Sequence, residues 1–94
     1  MKQEQDLPIL EKGNKLFFIN IYTQAVTIFE IIDISDSYFI NYYDIEVRLV
    51  FGKDTFASNV LYFIPKNIDK LFEYYINGYI TANEQLYLKK LEEL

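Results

Sequence analysis

The segment Ile45-Glu46-Val47-Arg48-Leu49-Val50-Phe51 alternates almost strictly. Ile45, Val47, Leu49 and Phe51 fall on one face; Glu46, Arg48 and Val50 fall on the other. A period of two marks a half-buried β-strand. Upstream, Val26–Ile34 is rich in β-branched residues and apolar on both faces, the pattern of a central strand. Glu30 interrupts one of those faces, and a bulge near it resolves the conflict. Ser35-Asp36-Ser37 has the side-chain chemistry of a turn, so Tyr38–Tyr43 is expected as a separate strand. Gly52-Lys53-Asp54 reads as a hairpin turn leading to a strand over Asn59–Ile64. On the N-terminal side, Gly13-Asn14 breaks the chain and Lys15–Tyr22 forms a first strand. Thr23-Gln24-Ala25 connects it to Val26.

Beyond Pro65 the period changes. Asn67 is a candidate N-cap, with Ile68, Leu71, Phe72 and Tyr75 at helical spacing. Asn77-Gly78 reads as the end of that helix. Thr81-Ala82-Asn83-Glu84 has the form of a capping box. It opens a last helix over about 82–93, with Tyr87, Leu88, Leu91 and Leu94 as its apolar stripe.

Leu10-Glu11-Lys12-Gly13-Asn14-Lys15-Leu16 followed by a hairpin resembles the start of many SH3-like small barrels. The resemblance covers about the first 50 residues and implies no particular function. The expected fold is α+β: a five-stranded antiparallel meander or small SH3-like curled barrel followed by two C-terminal helices. The chain reads as a single domain over 1–94. Residues 1–14 are a terminal arm, 15–64 the sheet and 66–94 the helices.

Composition narrows the function. The 94 residues include no histidine, cysteine or tryptophan, and Arg48 is the only arginine. Thiolate, Ser–His and His-ligated zinc chemistry are thereby excluded. No disulfide framework exists, and no glycine-rich nucleotide loop is present. Gly52-Lys53-Asp54-Thr55 has a Gly-Lys pair, but no glycine lies five residues upstream and Asp replaces the magnesium-holding Ser or Thr. The expectation is a protein without enzymatic activity, cofactor or metal.

Net charge is −5, from 14 acidic and 9 basic residues. That opposes direct nucleic-acid binding, which needs a basic footprint, and permits steering toward a basic partner. The polar start, Met1–Asp6, has no apolar h-region, and no apolar stretch approaches a membrane span. Ile, Asn, Lys, Tyr and Phe make up nearly half the chain, the residues of AT-rich coding. The expected location is the cytoplasm of a bacterial host.

Acid is concentrated in Asp33, Asp36, Asp44 and Glu46. Asp33–Asp44 has the length of a calcium loop, but Tyr38 stands where glycine is required and the flanks are strands. A charged sheet edge is the ordinary reading of these carboxylates; a patch that meets a basic protein is the functional one. Arg48 is expected to pair with Glu46, two residues away on the same face. Nine tyrosines supply the other signal. Tyr42 and Tyr43 must split between faces, so one of them is expected in the core. On the expected helix Tyr75 joins the core stripe and Tyr74 lies off it; Tyr79 is a further candidate contact residue. Tyrosine is enriched in binding hot spots because it offers area at small entropic cost.

The candidate contact surface is therefore Asp33, Asp36, Asp44, Glu46, Tyr42, Tyr43, Tyr74 and Tyr79. The expected function is a small acidic protein-binding module, with a basic protein as partner and no membrane contact. In size, acidity and missing catalytic residues the chain resembles the small inhibitors that phages carry against host defence nucleases. The alternatives are a small-ligand or nucleotide-sequestering protein and a structural homo-oligomer.

Overall fold

The computed structural model describes residues 10–52, 60–66, 68, 73–75 and 78–93, with backbone alone for 60–63 and 73–75. Six strands and one helix follow in the order β1 (Lys15–Asn20), β2 (Val26–Asp36), β3 (Tyr42–Phe51), β4 (Val60–Pro65), β5 (Glu73–Tyr75), β6 (Gly78–Thr81) and α1 (Glu84–Glu93). All pairings are antiparallel, in the sheet order β4-β3-β2-β1-β6-β5. The first four strands form the expected meander. The C-terminal β5–β6 hairpin adds to the free side of β1, and β4 and β5 are the edges of a curled, open half-barrel.

β1 is the strand on which both layers meet. Its sequence Leu16-Phe17-Phe18-Ile19 is apolar without interruption, and all four side chains are buried. Leu16 and Phe18 point inward, where Phe29, Ile31, Ile45, Val47, Ile64, Ile68 and Ile80 complete the main core. Phe17 and Ile19 point outward beneath α1, against Tyr87 with Val26, Ile28 and Leu91 at the margin. The Phe17 and Tyr87 rings stack with centroids 4.6 Å apart. Continuous apolarity in a strand requires cover on both faces; one short helix supplies the second cover. No helix among the described residues is long and apolar enough to cross a membrane.

The β1–β2 connection begins earlier than the alternation suggests. Asn20 ends β1 because its Oδ1 accepts hydrogen bonds from the backbone N–H of Tyr22 and Thr23, at 2.8 and 3.0 Å. Side-chain turns of this type compete with the ladder. Residues 10–14, expected as part of an arm, are tied in. Leu10 packs on the core, Gly13 N–H donates to Ile31 O at 2.9 Å, and Ile31 N–H donates to Asn14 O at 2.8 Å.

Three expectations are corrected. Among the described residues of 15–64 there are four strands, because residues 42–51 form one strand, β3, where separate strands over 38–43 and 45–51 were expected, and the turn lies at 37–41. Asn41 makes the turn there, with φ +68°, a left-handed conformation that asparagine tolerates.

The helix expected from Asn67 to Tyr75 does not reach Tyr75. Glu73–Tyr75 is strand, and Tyr75 pairs with Gly78; much of the remaining span lies outside the described residues. Aromatic residues favour strands, and Asn-Gly is a hairpin signal as well as a helix stop. One helix is present among the described residues, where two were expected.

The cap of α1 is Asn83, whose Oδ1 accepts from Leu86 N–H at 3.1 Å. Thr81 instead ends β6, buried, with its hydroxyl accepting from Asn83 N–H at 3.1 Å.

The join of β6 to β1 requires glycine. A Cβ on Gly78 would fall on the Ile19 carbonyl and against the Phe18 ring. Gly78→Ala is expected to cost about 3 kcal/mol, the upper range for overpacking, read from the urea midpoint.

The stacked helix gives a second prediction. Burial raises the Tyr87 hydroxyl pKa above its ordinary value of 10.0, with a further push from Glu84. The unfolded chain then ionises this tyrosine first, so the unfolded state binds fewer protons above pH 10 and stability falls as pH rises. Urea unfolding at pH 8 and pH 11 is expected to show a smaller alkaline loss in Tyr87→Phe than in the wild type.

Candidate functional site

The two longest strands build the site. β2 has 11 residues and β3 has 10, against 6 in β1. The β1 ladder stops at Lys15 opposite Glu30, and Gly13 and Asn14 extend contact only to Ile31. From Ile32 the β2–β3 hairpin continues past β1. At about 3.3 Å per residue, Ile32 to Asp36 carries it roughly 15 Å further, with β4 alongside β3.

In the turn at its end, Ser37-Tyr38-Phe39-Ile40-Asn41, the three central residues are apolar and exposed. Tyr38 is 94% exposed, Ile40 84%, Phe39 52% and the adjoining Tyr42 38%. The backbone beneath is well tied. Ser37 N–H donates to Tyr42 O at 3.2 Å, Tyr42 N–H to Phe39 O at 3.3 Å, and Phe39 N–H to Ser37 Oγ at 3.1 Å. Lys66 N–H, following β4, donates to Asn41 O at 3.1 Å. The Tyr38 and Phe39 rings meet edge to face at 5.5 Å. An open hollow of about 440 Å³ lies beside the turn, between Asn41, Tyr42, Pro65 and Lys66.

The acidic residues flank this turn. In register, Asp33 stands opposite Glu46, Ser35 opposite Asp44, and Asp36 opposite Tyr43. A bulge between Ile31 and Asp33 creates that order. The extra residue, Ile32, turns Ile34 toward the core and leaves Asp33 exposed on the opposite face. Asp33, Asp36 and Glu46 are exposed; Asp44 is half-buried, and its Oδ1 is buried without a hydrogen-bond partner among the described residues. No Lys or Arg pairs with any of the four among the described residues. Nor does any group of three carboxylates there stand close enough to hold a metal ion.

Arg48 is not the partner of Glu46. It stands across the ladder from Glu30 and forms an ion pair with it. Strand neighbours two apart diverge with the twist, whereas cross-strand positions face each other. The same pairing accommodates Glu30, between the two bulges of the β2–β3 ladder.

The tyrosines separate. Tyr43 packs on the core, half-buried, with the Lys66 ammonium 5.0 Å from its ring centroid. Tyr42 is exposed beside the turn. Tyr79 lies on β6, across β1 from the hairpin, with Lys90 of α1 over its ring at 4.5 Å. It is not part of the acidic surface. Tyr74 has its backbone in β5 beside Tyr79; its side chain lies outside the described residues. Tyr38, Phe39 and Ile40, all exposed in the turn, were missing from the expected surface. Their high β-propensity masks the turn; Ser37 and Asn41, the polar residues bracketing them, are the signal that marks it.

Comparison with known proteins gives no match: no family model, no curated protein and no solved structure.

Like charges directly opposite on a ladder destabilise it. Asp33→Lys, which sets a cation against Glu46, is therefore expected to stabilise the fold by about 0.5 kcal/mol. That raises Tm by roughly 2–4 °C for a domain of this size, measured by calorimetry at low salt; an unchanged or lower Tm counts against an uncompensated pair.

Proposed function

We propose that this chain is a small acidic protein-binding module without enzymatic activity, and that the β2–β3 turn with its flanking carboxylates is the contact surface. The observation that carries the reading is the grouping of Tyr38, Phe39, Ile40 and Tyr42 in the open. Large contiguous apolar patches on monomeric proteins often mark binding sites, and tyrosine and phenylalanine are enriched in interface centres.

The composition supports the same reading, since the side chains that most enzymes use are absent. Within this class we favour a blocking role of the kind phage inhibitors play against host defence proteins, on size, acidity and AT-rich coding. The turn is the part that would occlude a partner's site.

The test is retention of host proteins on immobilised wild type and on Tyr38→Ser/Ile40→Ser. Both positions are too exposed for the change to harm the fold, and Tm is expected to stay within about 2 °C. Wild type is expected to retain a protein that the double variant does not. Equal retention by both, or by neither, rejects the reading.

A further inference from the structure

Resting on that reading, we infer that the turn is a preformed plug, received by an apolar pocket with a basic rim on a partner protein. The carboxylates set the encounter and the apolar side chains set the residence time.

Three features of the hairpin lead there. The first is its rigidity. The turn is closed by two backbone hydrogen bonds and by one that the Ser37 hydroxyl accepts from Phe39 N–H, and Lys66 anchors it to the chain beyond β4. Tyr38 and Ile40 are thus displayed on an ordered frame, and no folding cost is added on binding. Preorganisation of this kind favours insertion into a cavity over a loose flat contact.

The second is shape. The hairpin outruns β1, so the apolar residues form a projection, and its complement is concave.

The third is charge. Asp33 opposes Glu46 directly, Asp36 adjoins the turn, and one oxygen of Asp44 is stranded. None of these has a cationic partner among the described residues. Within the chain the arrangement only costs stability. Arg or Lys around the mouth of a pocket would compensate the exposed Asp33, Asp36 and Glu46.

The same carboxylates disfavour other occupants. Two copies meeting turn to turn would bring both acidic sets together. An anionic bilayer surface would repel them, although Tyr, Phe and Ile are common membrane anchors. A basic-rimmed pocket is the occupant that satisfies both the apolar end and the acidic flanks.

The test uses the purified protein retained by wild type, with binding rates measured by surface plasmon resonance at about 50 and 300 mM salt. Asp33→Asn/Glu46→Gln is expected to slow association about three- to tenfold at low salt, to flatten its salt dependence, and to leave dissociation within about twofold. Tyr38→Ser/Ile40→Ser is expected to speed dissociation on the order of thirtyfold with association nearly unchanged. Tyr22→Ser, 76% exposed at the other end of β2, is the control and should change neither rate.

Turn-dependent binding whose association ignores both salt and the acidic substitutions overturns the basic rim while leaving the protein-binding reading intact. Turn-dependent sedimentation with phosphatidylcholine or mixed phosphatidylcholine–phosphatidylglycerol vesicles overturns the protein pocket in favour of a membrane. A dimer in analytical ultracentrifugation that Tyr38→Ser/Ile40→Ser abolishes overturns it in favour of a second copy. Failure to retain any protein removes the functional reading and this inference with it.

Discussion

The structure depends on the burial of both faces of β1. Leu16 and Phe18 belong to one apolar layer and Phe17 and Ile19 to another, so β1 has fully buried side chains in both, while β2 adds Phe29 and Ile31 to the first and the half-buried Val26 and Ile28 to the second. Removing a large buried aromatic typically costs about 3–5 kcal/mol, a large fraction of the 5–15 kcal/mol that separates folded from unfolded states. The demand for cover explains the rest of the architecture. β2 and β6 flank β1, α1 lies over its outer side, and Gly78 lets β6 approach closely enough to complete the layer.

That centre is short, and its shortness shapes the surface. β2 and β3 are nearly twice as long as β1, so their distal halves extend beyond β1, with β4 alongside β3. There the usual rules lapse: like charges face each other, a carboxylate oxygen has no partner, and large apolar side chains stand in water. Departures from local consistency concentrate at functional sites. Among the described residues the charge departures fall on this hairpin, whereas nearer β1 the charges pair as Arg48–Glu30, although Leu49, Val50 and Phe51 are exposed there.

The parts of the fold legible in the sequence were those in which local pattern and tertiary environment agree. Ile45 and Val47 meet the core as the alternation predicts, although Leu49 and Phe51 on the same face are exposed; in α1, Tyr87 and Leu91 of the expected stripe pack beside β1, whereas Leu88 is exposed. The bulge was foreseeable from Glu30, although the extra residue is Ile32. The C-terminal hairpin was misread because Asn77-Gly78 suits either a helix end or a reversal, and only pairing with β1 decides between them.

At the site, the acidic residues and Tyr42 were legible as a concentration of side-chain types. Tyr38, Phe39 and Ile40 were not, because a turn made of strand-forming residues looks like a strand. Tyr79 was misplaced because its neighbour, Lys90, comes from a helix whose position no local pattern specifies.

The pairing of β1 with β6 also has a consequence in time. The meander up to β3 forms from neighbours, whereas Phe17 and Thr81 lie more than sixty residues apart. At synthesis rates of about 5–20 residues per second, the hydrogen-bonding edge and outer side chains of β1 wait roughly 3–12 s for their cover. During that interval the nascent chain carries its most apolar strand half-clothed, an edge open to pairing with other chains. The element that gives the finished protein its centre thus has an open edge until β6 is made. Closure from the C-terminus, an entropically costly long-range step, ends that exposure.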